Sequence, residues 1–274
     1  MPAFPYISFN PIRSIGVPGV RYLKPENMFK HLLEIQSAQK ILFPEYWQVN
    51  SLIYGLNKPV FPSAATHHLG HNKVEMTRGF MAACPELTPR TGIYHAETVS
   101  FQHLADTFGL PFVCKEIRSA SGLGVFLIST EADFNEYLRS NTVVYVQEYL
   151  DIDRDLRIVV IGNQVVSAYW RVGATQGFHN NVSRGGRIDR NDIPEFAVQK
   201  VLQAARDLNI DYAGFDAAIT PEGIYLLEFN LQFGTSGIPY SSVELGRFIH
   251  EYLDQKPPEN NNTESIPHTA ALTA

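Results

Sequence analysis

Short apolar runs and helical spacings alternate along the first quarter of the chain. "PYISFN" (5–10), "KILF" (40–43) and "PVFPS" (59–63) have strand character. Between them, "PENMFKHLLEIQSAQ" (25–39) places Met28, Leu32 and Ile35 at helical spacing, with Pro25 suited to a first turn. "EYWQVNSLIYGL" (45–56) places Tyr46, Val49 and Ile53 on one helical face. The β-α-β-α-β order predicts a small parallel α/β layer over roughly the first 65 residues.

The pattern then changes. "NKVEMTRGFMAA" (72–83) opens a helix, with Asn72 and Glu75 spaced as a capping box. "SFQHLADTFG" (100–109) is a helix stopped by Gly109. "PFVCK" (111–115) and "GVFLIS" (124–129) are strands joined by a Ser/Gly-rich loop, "TEADFNEYLRS" (130–140) is a capped helix, and "TVVYVQEYL" (142–150) is a strand. "LRIVVIGNQVVSAYWRV" (156–172) predicts a hairpin turning at Gly162-Asn163. A long helix over 195–209 keeps Ala197, Val201, Ala204 and Leu208 inward; a second hairpin (216–230) and a last helix (241–254) follow. Residues 256–274 carry too little apolar surface to fold. The predicted class is mixed α/β (α+β), a parallel layer followed by antiparallel hairpins rather than a simple doubly wound sheet. No G-x-G-x-x-G, G-x-x-x-x-G-K-[ST], G-x-S-x-G or H-E-x-x-H pattern is present.

The second hairpin, "DAAITPEGIYLLEFN", is almost wholly apolar apart from Asp216, Glu228 and Asn230. Glu228 and Asn230 share a strand face by the period of two. A four-residue loop would set Asp216 opposite Leu227, on the other face. A three-residue loop, Pro221-Glu222-Gly223, sets it opposite Glu228, and Gly223 suits the left-handed position of such a loop. Two facing carboxylates repel unless protonated or bridged by a cation. With an amide oxygen beside them they suit Mg²⁺ (or Mn²⁺); a solvated face of unrelated polar residues is the bland alternative.

Composition narrows the chemistry. With 22 Lys and Arg against 28 Asp and Glu, net charge is −6, and no broad basic surface advertises nucleic acid. Yet Arg154, Arg157, Arg171, Arg184, Arg187 and Arg190 lie close together in sequence, which suggests a local anion site. Strict alternation across the Gly162-Asn163 turn puts Arg157 and Arg171 on opposite faces, so both reach one site only through a bulge or beyond the ladder. "NNVSRGG" (180–186) sets Asn181 and Arg184 beside two glycines, as if backbone must bend round a ligand. In "KEIRSASGLGV" (115–125), Gly122 and Gly124 let backbone N–H groups approach phosphates, with Lys115 adding charge. Lys73, opening a helix, can reach the same anion. "HHLGH" (67–71) lacks an evident fourth zinc ligand and reads as a polar connection. Cys84 and Cys114 show no metal or redox spacing and predict buried thiols in a reducing compartment. The N-terminus has no signal-peptide pattern, and no apolar run reaches the roughly 20 residues a span needs. These points predict a cytoplasmic protein without a membrane or nucleic-acid partner.

Lys73, Lys115 with its Ser/Gly loop, "VQEYL", "RDLRIVVIGNQVVSAYWR", "NNVSRGG", "AGFDAAI" and "LLEFN" occur in order over residues 73–255. Together they resemble the ATP-grasp superfamily, and within it the ribosomal-protein glutamate ligase (RimK-like) group. The resemblance implies an ATP-grasp fold divided at 1–72 (a small N-terminal α/β domain), 73–147 (central and lid part), 148–255 (C-terminal part with the Mg-ATP site) and 256–274 (tail). It implies an ATP-dependent carboxylate–amine ligase that uses Mg²⁺ and takes a carboxylate substrate and a small-molecule or peptide amine.

By resemblance, Lys73 and Lys115 contact nucleotide phosphates, and Ser119, Ser121, Gly122 and Gly124 lie in the lid over them. Gln147, Glu148, Tyr149 and Leu150 form the hinge that holds adenine. Asp155 and Arg171 also fall on the nucleotide side. Asp216, Glu228 and Asn230 match metal ligands, while Arg157, Arg184 and Asn181 match residues near the transferred phosphate or the carboxylate. Ser119 stands where relatives usually have glycine, Ser183 where histidine is common, and Ala174 where those ligases tend to carry lysine; the last two depart from the glutamate-adding pattern. Other classes compatible with the motifs are an ATP-grasp kinase and a nucleotide-binding regulatory module.

Overall fold

The computed structural model describes residues 4–118, 124–173 and 187–255. Among them three sheets are built. The first is parallel, in the order β2 (Val20–Tyr22), β1 (Tyr6–Ser8), β3 (Lys40–Leu42), β4 (Val60–Phe61). Its crossovers include α1 (Leu32–Ser37) and α2 (Tyr46–Asn50), and α3 (Ala64–Leu69) and α4 (Lys73–Ala83) lead out of it. The second sheet orders β5 (Thr91–His95), β8 (Val143–Glu148), β6 (Phe112–Lys115) and β7 (Val125–Ile128), with α5 (Phe101–Phe108) and α6 (Glu131–Leu138) alongside. The third, antiparallel, orders β11 (Arg187–Asp189), β10 (Gln164–Val172), β9 (Arg154–Ile161), β12 (Tyr212–Thr220) and β13 (Gly223–Asn230); α7 (Glu195–Asp207) and α8 (Ser242–Asp254) cover it.

The mixed class and the parallel N-terminal layer agree with the pattern. Three strands were not foreseen: β2, β5 and β11. Each is short and only partly buried, so none carries a clear alternation. The stretch 25–39 is not one helix. A 3₁₀ turn over Pro25–Lys30 stops at His31, and α1 restarts at Leu32. "HHLGH" is not merely a connection, because its first residues complete α3, capped by the Ser63 hydroxyl on the Thr66 N–H at 3.0 Å. A helix of six residues is too short for periodicity to reveal. Asn72 does cap α4 on the Glu75 N–H at 3.0 Å.

Two faces of the third sheet bury different things. Leu156, Ile158, Val160, Ala213, Phe215 and Ala217 pack on α7 and α4. On the other face Val159, Ile161 and Tyr212 meet Leu42, Phe43 and Phe61 of the N-terminal layer, and Leu245 and Ile249 of α8. Each fully buried side chain of this size contributes about 1.5–3 kcal/mol. The N-terminal layer is therefore seated on the sheet that carries the polar residues described below. Cys84 and Cys114 are buried thiols, pushed up to about 11 and about 12 chiefly by burial. No described helix is long and apolar enough to cross a membrane.

A polar pin reinforces that seat. Asp211, buried just before β12, accepts the Ser63 N–H at 2.7 Å and the Thr66 hydroxyl at 3.2 Å. Asp211→Ala leaves that N–H without its acceptor and should cost about 1–3 kcal/mol. Urea denaturation should show a lower midpoint at unchanged slope. An unchanged midpoint would remove Asp211 from this role.

Candidate active site on one face of the third sheet

The sheet gathers its charged side chains by two irregularities. In β9–β10, Val165 pairs with Val160 but Ser167 pairs with Val159, so Val166 is an extra, bulged residue. Beyond it Tyr169 lies opposite Arg157 and Arg171 opposite Asp155. The bulge reverses parity, which is why Arg157 and Arg171 share a face despite the two-residue turn. In β12–β13 the turn is also two residues, Pro221-Glu222, not the three expected, because Thr220 pairs directly with Gly223. That turn alone would send Asp216 to the wrong face. A bulge at Leu227 restores it: Ala217 pairs with Leu226, whereas Asp216 pairs with Glu228. Gly223 takes φ +152°, a region side chains rarely adopt, so glycine serves the turn. With Asp216 opposite Arg157, the face runs Arg171 and Tyr169, Asp155 and Arg157, Asp216, then Glu228 and Asn230.

Asp216 is compensated by arginine. Arg157 Nε donates to Oδ1 at 2.5 Å and Nη2 to Oδ2 at 3.1 Å, while Arg171 Nη2 lies 2.9 Å from Oδ2. Arg171 also grips Asp155, with Nε at 2.6 Å and Nη2 at 2.8 Å. All four side chains are at least nine-tenths buried. Burial raises the Asp216 carboxyl, but Arg157 and Arg171 outweigh it and hold it below the usual range. For Asp155 burial wins, and its carboxyl is raised despite Arg171. Gly214 makes room: a Cβ there would sit 2.9 Å from Arg157 Nη1.

Glu228 and Asn230 lie at the more open end. The Asn230 amide donates to Glu228 Oε1 at 3.1 Å, and Lys73 Nζ lies 3.6 Å from Glu228 Oε2. The two carboxylates, expected to repel unless protonated or bridged by a cation, meet basic side chains here: Arg157 and Arg171 pair with Asp216, and Lys73 lies near Glu228. Among the described residues no cluster of three His, Cys, Asp or Glu is placed to hold a metal. Two carboxylates and an amide on adjacent strands still fit a hard cation that keeps waters and phosphate oxygens.

The second sheet supplies one further cation, Lys115, and α4 supplies Lys73. Lys115 is buried at the end of β6 and donates to Gln147 Oε1 at 2.6 Å; the Gln147 amide in turn donates to Thr91 at 2.9 Å. The Lys73 N–H donates to the Ile117 carbonyl at 3.0 Å, tying the start of α4 to the exit of β6. Burial lowers Lys115 to about 8, with Glu228 opposing that shift and Lys73 adding to it. Glu148 Oε1 accepts the Arg90 N–H at 2.7 Å, and Tyr149 donates to Asp151 at 3.4 Å. Gly124 accepts the Glu116 N–H at 2.8 Å through its carbonyl. Ser119, Ser121, Gly122, Ala174, Asn181, Ser183, Arg184 and the tail 256–274 lie outside the described residues.

Residues 79–253 match the model of the RimK-like ATP-grasp domain. The chain belongs to this family. It is 33% identical over 156 residues to a probable alpha-L-glutamate ligase of Enterobacter sp. (strain 638), covering 55% of this chain and 52% of that protein. It is 32% identical, with the same coverage, to a ribosomal protein bS6–L-glutamate ligase of Escherichia fergusonii. The chain thus spans about half the length of the curated relatives it matches. A D-alanine–D-alanine ligase from Bacillus anthracis superposes with a TM-score of 0.68 at 12% identity, over 91% of this chain and 97% of that one, and shares the ATP-grasp fold.

Tyr169, opposite Arg157 on the charged face, was not singled out from the sequence. The broken parity of apolar positions, Val165 then Ala168, Trp170 and Val172, was the signal that could have found it.

Two outcomes follow from this electrostatic layout. Asp216→Ala leaves the buried Arg157 guanidinium without its carboxylate, while Arg171 keeps Asp155, and should destabilise by about 3–5 kcal/mol in urea denaturation; a loss below about 1 kcal/mol would contradict the network. Lys115, lowered to about 8, favours its neutral form above that pH, whereas phosphates favour the charged form. ATP binding at pH 8–9, ~1 pH unit around that value, should therefore take up a proton and weaken as pH rises. Calorimetry in buffers of different ionisation heat should detect the uptake, and Lys115→Met should lack it.

Proposed function

We propose that this chain is an ATP-dependent carboxylate–amine ligase that works with Mg²⁺. The observation that carries the reading is the single charged sheet face, Asp216, Glu228 and Asn230 beside Arg157, met by Lys73 and Lys115 from the neighbouring elements. When bound, Mg·ATP supplies a γ-phosphoryl group to a substrate carboxylate, ADP leaves, and an amine then displaces phosphate from the resulting acyl phosphate to form the amide.

The residues divide that task. Glu228 and Asn230 hold the metal, with Asp216 fixed beside them. Lys73 and Lys115 bind phosphate oxygens, and the backbone of 147–150 holds the base. By the family resemblance, Arg157, Arg184 and Asn181 serve the transferring group, where positioning and charge neutralisation matter more than covalent chemistry by the protein. Asp155 and Arg171 keep Arg157 and Asp216 in place. By the same resemblance, the stretch carrying Ser119, Ser121, Gly122 and Gly124 would serve to keep water from the activated acid. The names of the relatives make an amino acid such as glutamate the first amine to test on a peptide or small-molecule acid. This reading places the enzyme in the cytoplasm, without a nucleic-acid or membrane partner; the acidic balance of the chain, with no broad basic surface, favours small-molecule or peptide substrates over nucleic acid.

Amino acids and peptide acceptors screened for ADP release, with product masses, test this directly. The expected result is ADP formation that needs both an acid and an amine and yields an amide. A stable phosphorylated product without amide indicates a kinase instead, and ATP binding without turnover on any pair indicates a binding module. Glu228→Gln should lower turnover about 100-fold or more while the thermal midpoint stays close to that of the parent; unchanged turnover would remove the metal assignment.

A further inference from the structure

One face of the second sheet is apolar: Cys114, Val144 and Val146 pack with Leu104 and Phe108 of α5 and Phe134 of α6. The other face gathers polar side chains. Thr91 on β5 is the cross-strand partner of Gln147, and Lys115 on β6 is that of Tyr145. Partners across a ladder share a face, as do Tyr145 and Gln147, two apart on β8. Lys115, Tyr145 and Gln147 are all buried.

The hydrogen bonds of this cluster have a fixed direction. The Thr91 hydroxyl donates to the Pro89 carbonyl at 2.7 Å, so toward Gln147 it accepts. The Gln147 amide gives one N–H to Thr91 Oγ1 at 2.9 Å and the other to the Tyr145 hydroxyl at 3.4 Å. Tyr145, accepting there, has Thr77 Oγ1 at 2.7 Å as the acceptor for its own O–H. Burial pushes the Tyr145 phenol up to about 12, so it keeps that proton. With both amide N–H bonds committed, Gln147 Oε1 is left to face Lys115 Nζ at 2.6 Å. A flipped amide would set donor against donor.

A buried lysine needs a partner. A carboxylate would hold Lys115 and cancel its charge; Gln147 holds it with a neutral acceptor. The charged groups around Lys115 are Lys73 of α4, Glu228 of β13 and Asp216 of β12. Asp216 is engaged by Arg157 and Arg171, and Glu228 lies 3.6 Å from Lys73. The network also reaches that second lysine. Thr77 and Lys73 are four apart on α4 and share its face, and the Lys73 N–H is tied to the Ile117 carbonyl at 3.0 Å.

We infer that Gln147, its amide locked by Thr91 and Tyr145, is a positioning residue that holds the Lys115 ammonium for the nucleotide phosphates without neutralising it. The inference rests on the phosphate role given to Lys115 above. It assigns the Gln147 side chain a task separate from any contact of the 147–150 backbone with the base.

Two substitutions of similar size at this one position test it, with Mg·ATP binding read by calorimetry from neutral to alkaline pH. Parent affinity should fall as pH rises through about 8. Gln147→Glu sets a carboxylate against Lys115. It should weaken binding about tenfold at neutral pH and move the alkaline fall about one pH unit upward, because the charged lysine is favoured. Gln147→Met removes the acceptor and should move the fall about one pH unit downward, because the neutral lysine is favoured. Midpoints that stay in place, or that move in the same direction, overturn the inference. A second measurement uses the unsubstituted protein with isotope-labelled glutamine. The Gln147 side-chain amide resonances should move as Lys115 titrates. Resonances indifferent to that titration, with ATP binding intact, overturn the positioning role alone. A parent that binds no Mg·ATP overturns the phosphate role and the reading it rests on together.

Discussion

The site depends on one buried carboxylate held between two arginines. Asp216 cannot be taken out of water alone, since an isolated buried charge is far too costly to survive folding. Arg157 and Arg171 meet it from two strands, and Asp155 balances the second arginine. The arrangement alternates acid and base, with two acids against two bases, so no net charge is buried. It is possible only because all four side chains point the same way, and two bulges impose that. Without Val166, Arg171 would face α7; without Leu227, the two-residue turn would set Asp216 against the apolar side of β13.

This explains what the sequence disclosed and what it hid. Alternation put Glu228 and Asn230 on one face, and a three-residue loop ending at Gly223 was the sequence argument that brought Asp216 to it. The device was not. A three-residue loop and a two-residue turn with a bulge give the same pairing, and Gly223 suits both. The parity break in "IYLLEFN", where Ile224 and Leu226 face the core but so does Phe229, marks the bulge more directly than the turn does. The same break in "QVVSAYWRV" makes Arg171 a partner of Asp216. The broad order of helices and strands followed from periodicity, whereas β2, β5, β11 and α3 are held by pairing and packing that a stretch of three to six residues cannot announce.

The charges also divide labour along the face. At the closed end, Asp216 and the arginines satisfy one another, and their geometry is fixed by bidentate contacts. At the open end, Glu228 is held by a single amide and a lysine at 3.6 Å, a looser arrangement that a cation and phosphate oxygens can replace. Lys115 belongs to both descriptions. Buried and bonded to Gln147, it is rigidly placed, yet burial draws it toward neutrality, so an arriving anion strengthens the charge that binds it. A rigid end and an exchangeable end on one sheet suit a site that must hold a reactive phosphoryl group in register while its ligands come and go.

The position of the N-terminal layer follows from the same sheet. Its face is apolar toward Val159, Ile161 and Tyr212, and polar toward Arg157 and Asp216. The layer seats Leu42, Phe43 and Phe61 on the apolar half and is pinned by Asp211, so α3 is carried to the border of the polar half. A layer that covered the whole face would bury the charges under apolar residues. One that covered only the lower half leaves a gap beside Lys73 and Glu228, walled by whatever the end of α3 presents. Here His67 of α3 and His71 just beyond it line the gap. The cavity is thus a geometric consequence of a sheet half apolar and half charged.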